Sequence, residues 1–182
     1  MNFIKTAIEG VFIIEPRIFT DERGYFFESY NKAAFEAAGL HYDFVQDNQS
    51  KSVYGTVRGL HFQKGEHSQA KLVRVLQGTV LDVAVDLRRS SPTYGQYVSV
   101  ELSAENNRQV LIPRGFAHGF SVLSETAIFA YKCDNLYCKE SEGGIRFDDP
   151  TLAIDWRIDM AHALTSEKDT RLPYLAEFTS CF

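Results

Sequence analysis

Lys71-Leu-Val-Arg-Val-Leu-Gln-Gly-Thr-Val-Leu-Asp-Val-Ala-Val-Asp-Leu87 is the most regular stretch of the chain. Side chains alternate between two faces along an extended strand, so residues two apart share a side. Lys71, Val73 and Val75 share one face; Leu72, Arg74 and Leu76 share the other. Gly78 is a turn candidate. Beyond it, Leu81, Val83, Val85 and Leu87 form an apolar face, with Asp82 and Asp86 opposite and Ala84 between them. Two strands, rich in β-branched residues, are expected here.

The pattern continues downstream. Ser90 to Tyr94 holds a Ser-Pro turn, and Gln96 to Leu102 is the next candidate strand. Asn106 and Asn107 mark a turn. Gln109 to Ile112 runs into Pro113-Arg114-Gly115, which must bend, and Phe120 to Leu123 and Ala127 to Tyr131 are two more short strands. Upstream, the expectations are a strand over Ile8 to Ile14, a loop over Pro16 to Gly24, and a short edge strand over Tyr25 to Tyr30. Asn31 is placed to cap a helix over Lys32 to Ala38 that stops at Gly39. Phe44 to Ser52 is polar and receives no element. After Asp148-Asp149-Pro150 the chain changes character, and Ser166 with Asp169 predicts one short helix start. Short strands with turns about every dozen residues favour a sandwich or small barrel over βαβ units. No glycine-rich phosphate loop opens a helix.

The 182 residues suit one domain, expected to span 1–182, and 45% apolar with 24% charged content is ordinary for a globular protein. A net charge of -5 disfavours nucleic acid and anionic membrane as partners. The N-terminal Met-Asn-Phe-Ile-Lys is not a secretory signal, and no apolar run reaches membrane-spanning length. Cys133, Cys138 and Cys181 are odd in number and form no C-x-x-C, so they are expected as reduced thiols in the cytoplasm.

The polar residues point to one place. In G-T-V-R-G-L-H-F-Q, from Gly55 to Gln63, Arg58 supplies a fixed charge and His61 an imidazole base. On its own this says only that a buried polar site sits on a sheet. Gly55-x5-His61 followed by Pro113-x-Gly115-x2-His118 resembles the two signature segments of the cupin folds, double-stranded β-barrels with a pocket inside. Metal-bearing cupins carry H-x-H in the first segment; Gln63 occupies the second histidine position here. His61 and His118 alone are fewer than the three protein ligands a catalytic zinc usually takes, so no metal is expected.

A closer resemblance covers nearly the whole chain. R-G-Y-F-F-E from Arg23, Q-D-N from Gln46, V-R-G-L-H-F-Q from Val57, I-P-R-G-F-A-H-G-F from Ile112, Y-K-C from Tyr131 and S-E-K-D ending at Asp169 are similar to the dTDP-4-dehydrorhamnose 3,5-epimerase family. Three places depart: Glu66-His67, where many members have Pro; Gly143-Gly144, where Glu-Arg is common; and Arg157 after Trp156, where Pro is usual. The resemblance implies a mainly β, cupin-type jelly-roll barrel with short peripheral helices, acting on a nucleotide 4-keto sugar without a cofactor. It implies His61 as base, paired with Asp169, Tyr131 as opposite-face proton donor, and Lys71 beside the C4 oxygen. Arg58, Gln46 and Asn48 match diphosphate and nucleotide contacts. His118 matches a pocket residue that orients substrate or polarises the ketone. Arg23, Phe26 and Glu28 match nucleotide contacts made across a homodimer interface. The residues alone leave three alternatives: a single-centre epimerase, a metal-dependent cupin isomerase or dioxygenase, and a noncatalytic sugar-binding cupin. Gln63 weighs against the second, and His61, Tyr131 and Asp169 weigh against the third.

Overall fold

The Lys71–Leu87 stretch folds as two strands, but they belong to different sheets. The computed structural model describes Met1–Phe182. Its strands are β1 (Asn2–Lys5), β2 (Phe12–Glu15), β3 (Phe19–Asp21), β4 (Gly24–Phe26), β5 (Gln46–Val53), β6 (Val57–Gln63), β7 (Lys71–Gln77), β8 (Thr79–Asp86), β9 (Tyr97–Ser103), β10 (Gln109–Ile112), β11 (Phe116–Val122), β12 (Thr126–Cys133) and β13 (Glu142–Gly144). One helix, α1 (Lys32–Ala37), and short 3-10 turns complete the chain. One sheet runs β1-β2-β10-β7-β12-β5, the other β13-β6-β11-β8-β9, and β3-β4 stand apart as a ribbon. The paired strands are antiparallel throughout. Gly78 carries the chain from β7 across to β8. Its φ is +79°, and a Cβ there would lie 2.1 Å from the Thr126 carbonyl oxygen, so only glycine fits the corner.

The two large sheets face each other as a cupin-type jelly roll. Val73, Val75, Val110, Ile112 and Phe129 of the first pack against Val80, Val100, Leu102, Phe120 and Val122 of the second. The apolar face of β8 points the other way. Leu81, Val83, Val85 and Leu87 are buried against Ile145, Phe147, Leu152 and Trp156 of the C-terminal segment. Asp82 and Asp86 therefore face inward, and both are buried. On the outer side of the first sheet, Phe35 of α1 packs with Ile14, Leu40, Leu72 and Leu111. Asn31 Oδ1 accepts the Ala34 N–H at 3.2 Å, and Gly39 follows the helix at φ +77°, as their positions predict.

Four expectations need correction. The stretch Ile8 to Ile14 is not one strand: a turn through buried Ile8 and Gly10, at φ +90°, separates β1 from β2. The expected loop Pro16 to Gly24 contains β3, and the edge strand over Tyr25 to Tyr30 shrinks to β4. Gln46–Val53 is a full strand, β5, although its composition hides it. One of its faces meets solvent and the other lines a polar cavity, so no apolar alternation remains to be read.

Asp86 shows how an inward acid is accommodated. Burial alone would raise its pKa. Bonds from Arg88, the Ser91 and Thr93 hydroxyls and the Arg88 backbone N–H outweigh that and hold it at about 2, against the usual 3.8. Because its folded pKa is depressed, Asp86 stabilises the fold fully above 3.8, and that contribution is lost as pH falls toward about 2. The shift is worth on the order of 2 kcal/mol. Asp86→Asn is expected to lower stability by about 2–4 kcal/mol at pH 7, with the deficit shrinking toward pH 2. Thermal melts of both proteins between pH 6 and pH 2 check this; a constant gap would refute the linkage.

Candidate active site

In a regular strand, residues three apart point to opposite faces. Arg58 and His61 of β6 nevertheless line the same cavity. The reason is a slip in pairing with β11: His118 lies opposite His61, but Phe120 lies opposite Arg58. Three steps along β6 match two along β11, which is a bulge. Gly59, at φ +140°, sits in it, and a Cβ there would lie 2.6 Å from the Gly119 Cα. Val57, Leu60 and Phe62 keep their side chains in the apolar cluster behind the sheet.

The cavity has a volume of about 660 Å³ and lies between the two sheets. The five-stranded sheet contributes Arg58, His61, His118 and Phe120; the six-stranded sheet contributes Asn48, Lys71, Phe129 and Tyr131. Leu164 to Ser166, Lys168 and Asp169 come from the C-terminal segment. A second cavity of about 260 Å³ shares Asn48, His61, Lys71 and Tyr131 and adds Gln46, Gln63, Tyr137 and Glu142.

His61 Nε2–H donates to Asp169 Oδ1 at 2.7 Å. Asp169 is 3% exposed, and burial would raise its pKa. The bond and charge of His61, the Ser166 hydroxyl and the Gly59 N–H reverse this and lower it, so the group is a carboxylate. A carboxylate on Nε2 leaves the imidazole lone pair on Nδ1. Ser166 Oγ also accepts the Asp169 N–H at 3.1 Å, just ahead of the 3-10 turn Asp169–Arg171.

A second buried dyad stands on the adjacent strand. His118 Nε2–H donates to Asp82 Oδ2 at 2.7 Å, with both side chains at most 7% exposed. Burial pulls the His118 pKa below 6.5, with Asp82 opposing. The ring is therefore neutral at pH 7 and presents an acceptor at Nδ1. Lys71 is pulled below its usual 10.5 by burial, opposed by Cys133, Asp82 and Glu142. Its Nζ lies 5.9 Å from the centroid of the Tyr131 ring. Burial raises the Tyr131 pKa, so the phenol keeps its proton at neutral pH. Tyr131 lies on the sheet opposite His61.

Residues 5–177 match the model of the family described as dTDP-4-dehydrorhamnose 3,5-epimerase. A curated protein of that name from Salmonella typhimurium is 55% identical over 176 residues, 96% of each chain. The chain belongs to the dTDP-4-dehydrorhamnose 3,5-epimerase family. The solved structure of a dTDP-6-deoxy-D-glucose-3,5-epimerase from Legionella pneumophila, in complex with dTDP-4-keto-L-rhamnose, superposes with a TM-score of 0.93 at 51% identity, covering 98% of this chain and 94% of that one. A 3'-monoepimerase from Streptomyces bikiniensis, in complex with dTDP-quinovose, is more distant: 34% identical, TM-score 0.89, covering 95% and 87%. The family is one of isomerase enzymes, as the resemblance implied.

Within this family frame, the structure gathers His61, Asp169, Tyr131, Lys71, His118, Arg58, Gln46 and Asn48 around the two cavities. It does not bring Arg23, Phe26 and Glu28 there. Arg23 pairs with Asp21 in an exposed ion pair, Phe26 is 67% exposed on the β3–β4 ribbon, and Glu28 accepts from Asn31 Nδ2 at 3.1 Å. Gln46 and Asn48 spend part of their amides on the protein: Gln46 Nε2 donates to Asn48 Oδ1, and Gln46 Oε1 accepts the Tyr137 N–H.

Sequence reasoning missed Asp82, Tyr137, Glu142 and Lys168. Asp82 stood in the sequence only as an acid opposite the apolar face of β8, with no role, and nothing local paired it with His118. Glu142 accepts from the Tyr137 hydroxyl at 3.3 Å and pairs with Lys168 beside the cavities. That link joins residues far apart in the chain and leaves no periodic signal. Gly143 and Gly144 pair with Phe62 and His61 at the edge of β6. Side chains there would crowd the Phe62 ring and the Leu60 carbonyl, at 2.4 and 2.5 Å. His61, His118, Asp82 and Asp169 do not gather as a metal site: no group of three or more His, Cys, Asp or Glu side chains converges.

Proposed function

We propose that this chain is a single catalytic domain that epimerises dTDP-4-dehydro-6-deoxy-D-glucose at C3 and C5, giving dTDP-4-dehydro-L-rhamnose. One observation carries the proposal: an Asp-supported histidine on one sheet faces a protonated tyrosine on the other across a shared cavity. The C4 ketone acidifies the hydrogens on C3 and C5. His61 Nδ1 takes one of them as a proton, and the bonding pair becomes an enolate. Lys71 donates to the enolate oxygen. Tyr131 then returns a proton to the opposite face of that carbon, which inverts it. Solvent restores both groups, and the cycle repeats at the second carbon. The reaction is redox-neutral, so it calls for no redox cofactor. Neutral His118, held by Asp82, orients the sugar by accepting a hydroxyl at Nδ1.

The test is NMR of the 4-keto substrate with this protein in deuterated water. Solvent deuterium should enter, with inversion, at both carbons. Exchange and inversion at one carbon alone would make it a single-centre epimerase instead.

Arg58 holds the diphosphate in this proposal. Its Nε donates to Ser52 Oγ at 3.0 Å and its Nη2 to the Lys51 carbonyl at 3.5 Å, which steadies the fork where Arg58 lines the cavity. Arg58→Lys keeps the charge but loses the planar paired donors. Binding of dTDP, by calorimetry, should weaken by about 1–3 kcal/mol. Unchanged affinity would remove Arg58 from that role.

The protein works as a homodimer in this proposal. The exposed ribbon bearing Arg23, Phe26 and Glu28 reaches the partner's cavity, which is why these residues stand away from their own. Sedimentation should give twice the 20.6 kDa chain mass at micromolar concentration; a stable monomer would refute the shared site. No helix is long and apolar enough to cross a membrane. The free thiols support a cytoplasmic setting. Cys133 is buried beside Lys71, and burial pushes its thiol up to about 11.

A further inference from the structure

Gln63 is 5% exposed and shares a strand face with His61. Its Oε1 accepts the Cys138 backbone N–H at 2.9 Å. A backbone N–H requires the oxygen on that side, which fixes the amide nitrogen on the other. That nitrogen has no hydrogen-bond partner within the chain. Yet no buried side-chain nitrogen or oxygen is sealed away without a partner. Nε2 must therefore open onto the smaller cavity that Gln63 lines, where His61, Lys71 and Tyr131 form the shared wall. Its strand neighbour Glu142 is already engaged, by the Tyr137 hydroxyl and by Lys168.

An almost fully buried amide with one half committed and the other half open is built to meet a ligand. Once a ligand displaces solvent from the cavity, a donor left unpaired there is costly, and an oxygen of the substrate would satisfy it. We infer that Gln63 is a substrate contact: Nε2 donates to an acceptor oxygen of the nucleotide sugar while Oε1 holds the Tyr137–Cys138 wall in place. The inference rests on the proposed epimerase activity. It assigns Gln63 to binding, not to proton transfer.

Two variants separate the halves of the amide. Gln63→Glu is nearly isosteric, keeps an acceptor for Cys138 and replaces the donor with an oxygen. Gln63→Leu removes both. The probes are dTDP-glucose, which has no ketone and does not turn over, for calorimetry, and the 4-keto substrate for kinetics. Amide hydrogen exchange at Cys138 reports the wall without any ligand. Gln63→Glu should weaken dTDP-glucose binding about 10- to 100-fold while Cys138 stays protected. KM should rise similarly, with kcat within about threefold. Gln63→Leu should weaken binding by about tenfold and also speed exchange at Cys138. Wild-type affinity and KM in Gln63→Glu would overturn the contact. So would equal loss of kcat in both variants with Cys138 unprotected, which would make Gln63 a structural prop only. Wild-type protein that binds dTDP-glucose but leaves the 4-keto sugar unchanged would overturn the activity instead, with the binding comparison still able to judge Gln63.

Discussion

His61→Asn is expected to stop solvent exchange at both C3 and C5, with a loss of about 10²- to 10⁴-fold in turnover. Both carbons depend on the same first step, removal of a proton next to the C4 ketone. Within the cavity, His61 holds Asp169 on Nε2 and keeps its lone pair on Nδ1 for that task. His118 has the same arrangement with Asp82, but burial lowers its pKa and weakens it as a base, which leaves it the orienting role in the proposed mechanism. Asparagine fills part of the imidazole's volume and removes its basicity, so the barrel should survive. An unchanged melting temperature would show that it has. Asp169→Asn should be milder, since an amide oxygen still accepts the Nε2–H. It loses the charge that supports the imidazolium, so turnover should still fall by roughly tenfold or more. The assay is NMR in deuterated water, following each carbon separately. Wild-type exchange in His61→Asn at either carbon would mean another residue is the base there.

The barrel was legible wherever strands have one dry face. In β8, Leu81, Val83, Val85 and Leu87 fill a purely apolar cluster, and their alternation is plain. The helix was legible because Asn31 and Gly39 carry local backbone chemistry at its two ends. The stretch that was not legible as a strand is one wall of the cavity. β5 turns polar side chains into the cavity and polar side chains to solvent, so its composition reads as a loop. The bulge at Gly59 was equally hidden. A regular strand would have sent Arg58 and His61 to opposite faces, and only the pairing with β11 shows why both enter the cavity.

Among the site residues, motif resemblance carried the candidates, and geometry sorted them. Lys71 could have been a lysine whose stem lies along apolar surface with its head in water. Instead it is half-buried on the cavity wall, where burial lowers its pKa. Asp82 had no assigned role from the sequence and proves to hold His118. Contacts such as Glu142 to Lys168 arise between elements far apart in the chain, and no spacing rule reaches them.

Tyr131→Phe should uncouple exchange from inversion. The variant keeps the ring, which packs beside Phe129 at 6.1 Å between centroids, and loses only the hydroxyl. His61 and Asp169 are untouched, because they lie on the other sheet and in the C-terminal segment. Proton abstraction therefore continues. The enolate can still be reprotonated by His61 from the face it left, which restores the original configuration. In deuterated water that return delivers deuterium once the imidazolium has exchanged with solvent. The wild-type tyrosine can act as donor because burial raises its pKa and keeps it protonated well above neutral pH. Without that proton the opposite face has no donor, and inversion should fall by about 10²- to 10⁴-fold while exchange persists. The expected spectrum shows deuterium entering at C3, C5 or both, with the starting configuration largely retained. Normal inversion at both carbons would place the opposite-face donor elsewhere. Loss of exchange together with inversion would show that Tyr131 is needed for the first step, and that one sheet does not supply the base alone.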